Sequence, residues 1–150
     1  MNAKIMPQSA LKAPGSRGRI FAILNLFLLL SCLITRAPAA EQARVTQLMT
    51  KSLVNIPGKE ATMLTVQYPP GSKDPVHRHN ASVFVYVLEG SVVMQMKGGK
   101  KVTLHPGQTF YEDPRGIHQV GQNASSTTPA KFLVFLVKDK GAPILVPVTK

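Results

Sequence analysis

The feature that most constrains this chain is its rhythm. From residue 44 onward, short runs rich in Val, Thr, Phe and Tyr are cut at close intervals by Pro and Gly, and no apolar repeat of 3.6 is sustained. The runs are "ATMLTVQY" (61–68), "VFVYVL" (83–88), "SVVMQMK" (91–97), "KKVTL" (100–104), "QTFYE" (108–112), "IHQV" (117–120) and "KFLVFLV" (131–137). Pro69-Pro70-Gly71, Glu89-Gly90, Gly98-Gly99, Pro106-Gly107 and "DPRG" (113–116) separate them. About eight strands at this spacing predict an all-β sandwich or small barrel. "VFVYVL" is apolar on both faces, which predicts a strand inside a sheet with Tyr86 in the core. "SVVMQMK" alternates and predicts Met94 and Met96 as core or pocket wall.

The 150 residues suit one domain, and a hydrophobic fraction of 44% supports a packed core rather than a disordered chain. The net charge of +11 raises the question of a nucleic-acid partner. Five of the basic residues (Lys4, Lys12, Arg17, Arg19 and Arg36) precede residue 40 without an acidic neighbour. From residue 40 onward 13 basic and 7 acidic residues are scattered, with only Lys100 and Lys101 adjacent. Without a basic stripe or interleaved aromatics for base stacking, no nucleic-acid partner is expected.

Residues 1–39 read as an address. A polar, basic segment (1–19) precedes the apolar run "IFAILNLFLLLSCLI" (20–34), and Ala37 and Ala39 form an A-x-A cleavage pattern. Fifteen apolar residues are short for a membrane span of about 20 residues. The expectation is a signal peptide cleaved after Ala39 and an exported, periplasmic or secreted protein; an uncleaved N-terminal anchor would be its sole membrane contact. "LLSC" also resembles the motif of bacterial lipoproteins, but Leu33 and Ile34 continue the apolar run where such a motif turns polar. Cys32 is the only cysteine, so the mature chain has no disulfide and must be stabilised by packing. Residues 40–59 are expected to form a strand or linker, and 60–150 the barrel.

Two of the four histidines stand in H-x-H spacing, His77 and His79, behind a Gly/Pro turn. On a strand such residues project from one face about 6.5–7 Å apart, so both imidazoles can aim at one point. His118 follows another Pro/Gly turn, two turns and three strands later. His105, before Pro106-Gly107 at a predicted tip, is expected to be an exposed loop residue. Arg78 should face away from its neighbours. Two "NAS" triplets (80–82 and 123–125) match the N-glycosylation sequon, which matters only in a eukaryotic secretory pathway.

These residues resemble the cupins. Gly71, His77, His79 and Gly90 fall in register with the first cupin motif, G-x5-H-x-H-x3,4-E-x6-G. Gly107 and His118 keep the spacing of the second, G-x5-P-x-G-x2-H-x3-N, although Pro114, Gly116 and Asn123 each fall one position late. The resemblance covers residues 60–138 and implies a single jelly-roll β-barrel. It implies metal ligands at His77, His79 and His118 and a divalent cofactor: Fe, Mn, Zn or Ni. The family's fourth ligand, a glutamate, should stand at position 83, where this chain has Val83 on the same face as the histidine pair.

Glu112, at the end of "TFYE", has two readings. Facing inward, it could replace the missing ligand or act as a general base; facing outward, it is a surface residue paired with Lys or Arg. Glu112 and Gln108 are the polar candidates beside the histidines. One functional reading is a metal-dependent enzyme of dioxygenase or isomerase type acting on a small anionic molecule. The other is a non-catalytic module, with or without a metal, that binds or senses a small ligand. By analogy with small cupins, a homodimer is expected.

Overall fold

The computed structural model describes residues 41–148; the expected leader, with its A-x-A site and Cys32, lies outside them. Among the described residues there are ten strands and no helix. In chain order they are β1 (Arg44–Ser52), β2 (Lys59–Tyr68), β3 (His77–Arg78), β4 (Ala81–Glu89), β5 (Val92–Met96), β6 (Val102–Leu104), β7 (Thr109–Glu112), β8 (His118–Asn123), β9 (Ala130–Asp139) and β10 (Val146–Pro147). They form two antiparallel sheets of five, ordered β1-β2-β9-β4-β7 and β10-β3-β8-β5-β6. This is the jelly-roll arrangement that the sequence predicts. The segment expected as strand or linker contains β1; the strand expected to carry the histidine pair is the two-residue β3, which ends at Arg78 and leaves His79 beyond it, and β10 is an addition. β3 and β10 pair with each other, Pro147 opposite His77 and Val146 opposite Arg78.

Alternation decides which side chains enter the barrel. On β2, Leu64, Val66 and Tyr68 face inward; on β4, Val83, Val85 and Val87; on β9, Phe132, Val134 and Leu136. Met94 and Val92 face them from β5. Each such side chain contributes about 1.5–3 kcal/mol by leaving water. The strand "VFVYVL" does lie inside its sheet, between β9 and β7, but only one of its faces is covered. Phe84, Tyr86 and Leu88 are exposed, so Tyr86 is not a core residue. Its apolar outer face instead packs laterally, Phe84 against Tyr111 and Phe135 with ring centroids 5.2 and 6.3 Å apart. Met94 is buried as expected, whereas Met96 is half-buried and lies over Gly116, outside the pocket.

Two polar fixtures hold the ends of the first sheet. Lys138 on β9 donates to the Glu60 carboxylate on β2, and to the carbonyl of Ala142 at 2.7 Å. The Gly141 N–H donates to the same carboxylate at 3.2 Å, so the turn after β9 is pinned to the barrel. At the other end Asn123 is buried, and its amide donates to the carbonyls of Tyr68, Pro69 and Thr128 at 3.2, 3.1 and 2.8 Å. That amide is therefore structural and unsuited to glycosylation, in contrast to Asn80, which is exposed.

Gly90 is a turn residue pressed against backbone. Its φ is +69°, and a Cβ there would meet the Pro129 carbonyl oxygen at 2.5 Å and the Ala130 Cα at 2.8 Å. Gly98, at φ +80°, has nothing within 4 Å of a Cβ position. Gly90→Ala is therefore expected to cost about 3 kcal/mol or more, and Gly98→Ala only about 1 kcal/mol of backbone strain. Denaturant titration of both variants measures this; equal losses would mean that the β4–β5 turn does not press on β9.

Candidate metal centre

The histidines meet because β3 and β8 are neighbours in one sheet. His77 is directly paired with His118 across them. Ligand atoms of His77, His79 and His118 all lie within 4.8 Å of one another, and His77 and His118 are buried. These three side chains could hold one metal ion. His105 is exposed, bonds Ser91 at 2.8 Å and does not line the cavity at this cluster, and Arg78 is exposed.

The ring orientations are set by backbone carbonyls. His77 Nδ1 donates to the Pro75 carbonyl at 2.8 Å, and His79 Nδ1 donates to the carbonyl of Ile144. A carbonyl partner can only accept, so the proton of each neutral ring is assigned to Nδ1. Both Nε2 atoms then carry lone pairs, and they face each other at 3.1 Å. Two nitrogens bound to one ion at about 2.1 Å would stand about 3.0–3.4 Å apart. Carbonyl-oriented imidazoles with convergent Nε2 atoms are the arrangement by which metal-binding histidines are held.

Glu112 completes the cluster from the opposite sheet. On β7 it shares the inner face with Phe110 and is only 3% exposed. The link 113–117 carries the chain from β7 in one sheet to β8 in the other, so Glu112 and His118 flank the crossing and point into the same interior. The Glu112 carboxylate Oε2 lies 3.6 Å from His79 Nε2 and 3.5 Å from His118 Nδ1. The surface reading of Glu112 is thereby overturned. Its cross-strand neighbour is Val83, which is fully buried. The carboxylate absent from position 83 is thus present one strand over.

Burial sets the charges here. Desolvation first, then the neighbouring Asp74 carboxylate, pushes the Glu112 carboxyl up to about 7. Desolvation, then the rings of His77 and His79, pushes His118 down to about 4, and burial also lowers His79. Glu112 Oε2 and both nitrogens of His118 are buried without a hydrogen-bond partner. Buried polar atoms without partners are costly, and two of these, Glu112 Oε2 and His118 Nδ1, lie 3.5 Å apart.

Gln108 does not reach this point. It is exposed, and its Oε1 accepts from the His105 N–H at 2.8 Å. Two residues that sequence reasoning passed over do line the cavity, Tyr68 and Asp74. Parity along β2 places Tyr68 on the inner face with Leu64 and Val66, and Asp74 lies in the turn just before His77. The cavity measures about 370 Å³ and is walled by Leu64, Val66, Val85, Met94, Phe132 and Val134 among others.

In the metal-free protein, a carboxyl raised from 4.5 to about 7 contributes stability at low pH that is lost as pH rises through about 7. His118, lowered from 6.5 to about 4, acts in the opposite sense and loses its contribution as pH falls through that range. Glu112→Gln removes only the first effect. The variant is expected to match the parent near about pH 5 and to exceed it by up to about 3 kcal/mol near about pH 9. Denaturant midpoints at both pH values decide this, and a pH-independent difference would place Glu112 in water.

A family model described as "Cupin domain" matches residues 64–136. No curated protein sequence matches the chain. Among solved structures, a conserved protein with a double-stranded β-helix domain from Klebsiella pneumoniae is 14% identical, covering 75% of this chain and 90% of that one (TM-score 0.57). An oxalate oxidase in complex with the substrate analogue glycolate is 25% identical, covering 75% and 57% (TM-score 0.53). The DMSP lyase DddQ from Ruegeria pomeroyi is 22% identical over 59% of this chain (TM-score 0.52), and the chain spans only 43% of that lyase. The family match, the two five-stranded sheets and the position of the histidines on them agree: this chain belongs to the cupin superfamily.

Proposed function

We propose that this protein is an exported small cupin that binds one divalent metal through His77, His79, His118 and Glu112, and that the ion faces the cavity and carries out chemistry on a small anionic molecule. The observation that supports this reading best is the Glu112 carboxylate, buried, unpartnered and 3.5–3.6 Å from two imidazole nitrogens. Three nitrogens and one carboxylate form a donor set suited to Fe, Mn, Zn or Ni. When bound, such an ion supplies Lewis-acid or redox chemistry that these side chains lack. The chain's own part is to orient the rings through Pro75 and Ile144 and to enclose the centre in apolar wall. Glycolate in the similar oxalate oxidase is a small carboxylate of a size that this cavity would admit. Export rests on the basic segment, apolar run and A-x-A pattern of residues 1–39.

The reading is tested by moving the carboxylate. Val83 and Glu112 are cross-strand neighbours, whose Cβ atoms typically stand about 4.5–5.5 Å apart. Glu112→Val is expected to weaken metal binding at least about tenfold, as is each of His77→Ala, His79→Ala and His118→Ala. The double variant Val83→Glu/Glu112→Val, which returns the glutamate to the family's position, is expected to recover most of the loss. His105→Ala should bind as the parent does. Metal affinity by calorimetry provides the readout; a double variant no better than Glu112→Val, or a loss in His105→Ala equal to that in His118→Ala, would contradict the proposal.

A further inference from the structure

Beside the three-histidine centre, the cavity wall carries a second carboxylate that the centre does not use. Asp74 is half-buried and lines the cavity. Its backbone N–H donates to the Gly121 carbonyl at 2.8 Å, and its Oδ2 accepts from the Tyr68 hydroxyl at 2.5 Å. Tyr68 is itself 1% exposed. A Cβ on Gly121 would lie 2.9 Å from the Tyr68 hydroxyl and 3.0 Å from the Cε1 of His118, so the phenol and the imidazole crowd the same Cα. Asp74 is therefore held rigidly, through Tyr68, next to a proposed ligand of the metal.

The chemistry of this wall is one-sided. Among the described residues, no Lys, Arg or His forms an ion pair with Asp74, although Lys73 lines the same rim. With its proton given to Oδ2, the Tyr68 oxygen offers only lone pairs, and so does the Asp74 carboxylate. Glu112, whose Oε2 is buried and unpartnered, faces the same cavity. Lining residues elsewhere are largely aliphatic. A ligand in this space meets hydrogen-bond acceptors near the histidines and hydrocarbon beyond them.

We infer that Asp74, braced by Tyr68, is a specificity residue: it receives an ammonium group of a ligand whose anionic end lies at the histidine centre. The inference rests on the reading of that centre as a metal site, and it narrows the ligand class to short aminocarboxylates. A charge-assisted hydrogen bond in a partly desolvated site discriminates strongly against a ligand that lacks the donor. The cavity of about 370 Å³ lies at the small end of ligand sites, which limits the spacer to a few methylenes.

The test uses matched pairs of probes on metal-loaded protein: glycine against acetate, β-alanine against propionate, and 4-aminobutyrate against butyrate. Calorimetry is expected to show at least one aminocarboxylate binding about tenfold tighter than its partner. In Asp74→Asn, where the amide oxygen can still accept from Tyr68, that ratio should fall towards one. Metal content is measured on the same samples. A protein that retains no metal would overturn the metal reading and this inference with it. Retained metal with no preference for any aminocarboxylate, or a preference that survives in Asp74→Asn, would overturn this inference alone.

Discussion

Two imidazole lone pairs held 3.1 Å apart, with an orphaned carboxylate 3.6 Å from one of them, repel one another unless positive charge lies between. Much of the barrel's construction serves to keep them there. The β3–β8 pairing sets His77 beside His118, and the crossing from β7 to β8 brings Glu112 to the same depth from the opposite wall. The carbonyls of Pro75 and Ile144 fix the rings so that Nε2, not Nδ1, points inward. A site whose donors cost free energy when empty gains that free energy back as affinity when a cation binds.

The C-terminal segment is part of this construction. Lys138 and Glu60 anchor the turn at 139–142, and the chain then delivers the Ile144 carbonyl to His79 before β10 pairs with β3. Ile144 and Leu145 also line the cavity. A buried ion pair of this kind is weak evidence for stability in itself, because desolvation offsets most of the attraction. Its effect here is geometric: it fixes where the segment that carries the Ile144 carbonyl to His79 begins.

Most of the fold was legible because alternation and turn chemistry are local. The runs ending at Tyr68, Glu112 and Val137 were each recovered within two residues of the observed strands. β10 was not, nor was the early end of β3 before His79, since two-residue strands are defined by partners far away in sequence. Tyr86 was misplaced because an apolar side chain on an exposed sheet face looks like a core residue until the opposite layer is known. The histidines were legible from spacing and family resemblance together. Glu112 was legible only as an alternative, because nothing local told that β7 lies beside Val83. Asp74 and Tyr68 were missed because their pairing spans a turn whose path the sequence does not reveal.

The central claim is that one ion binds between the two sheets with Glu112 as its carboxylate ligand. Diffraction from crystals grown with Mn²⁺ or Zn²⁺, recorded at the metal's absorption edge, tests it most directly. The account predicts one anomalous peak about 2.0–2.3 Å from His77 Nε2, His79 Nε2, a His118 ring nitrogen and a Glu112 oxygen. A peak elsewhere on the molecule, or an ion held by the histidines with Glu112 turned away from it, would contradict the account.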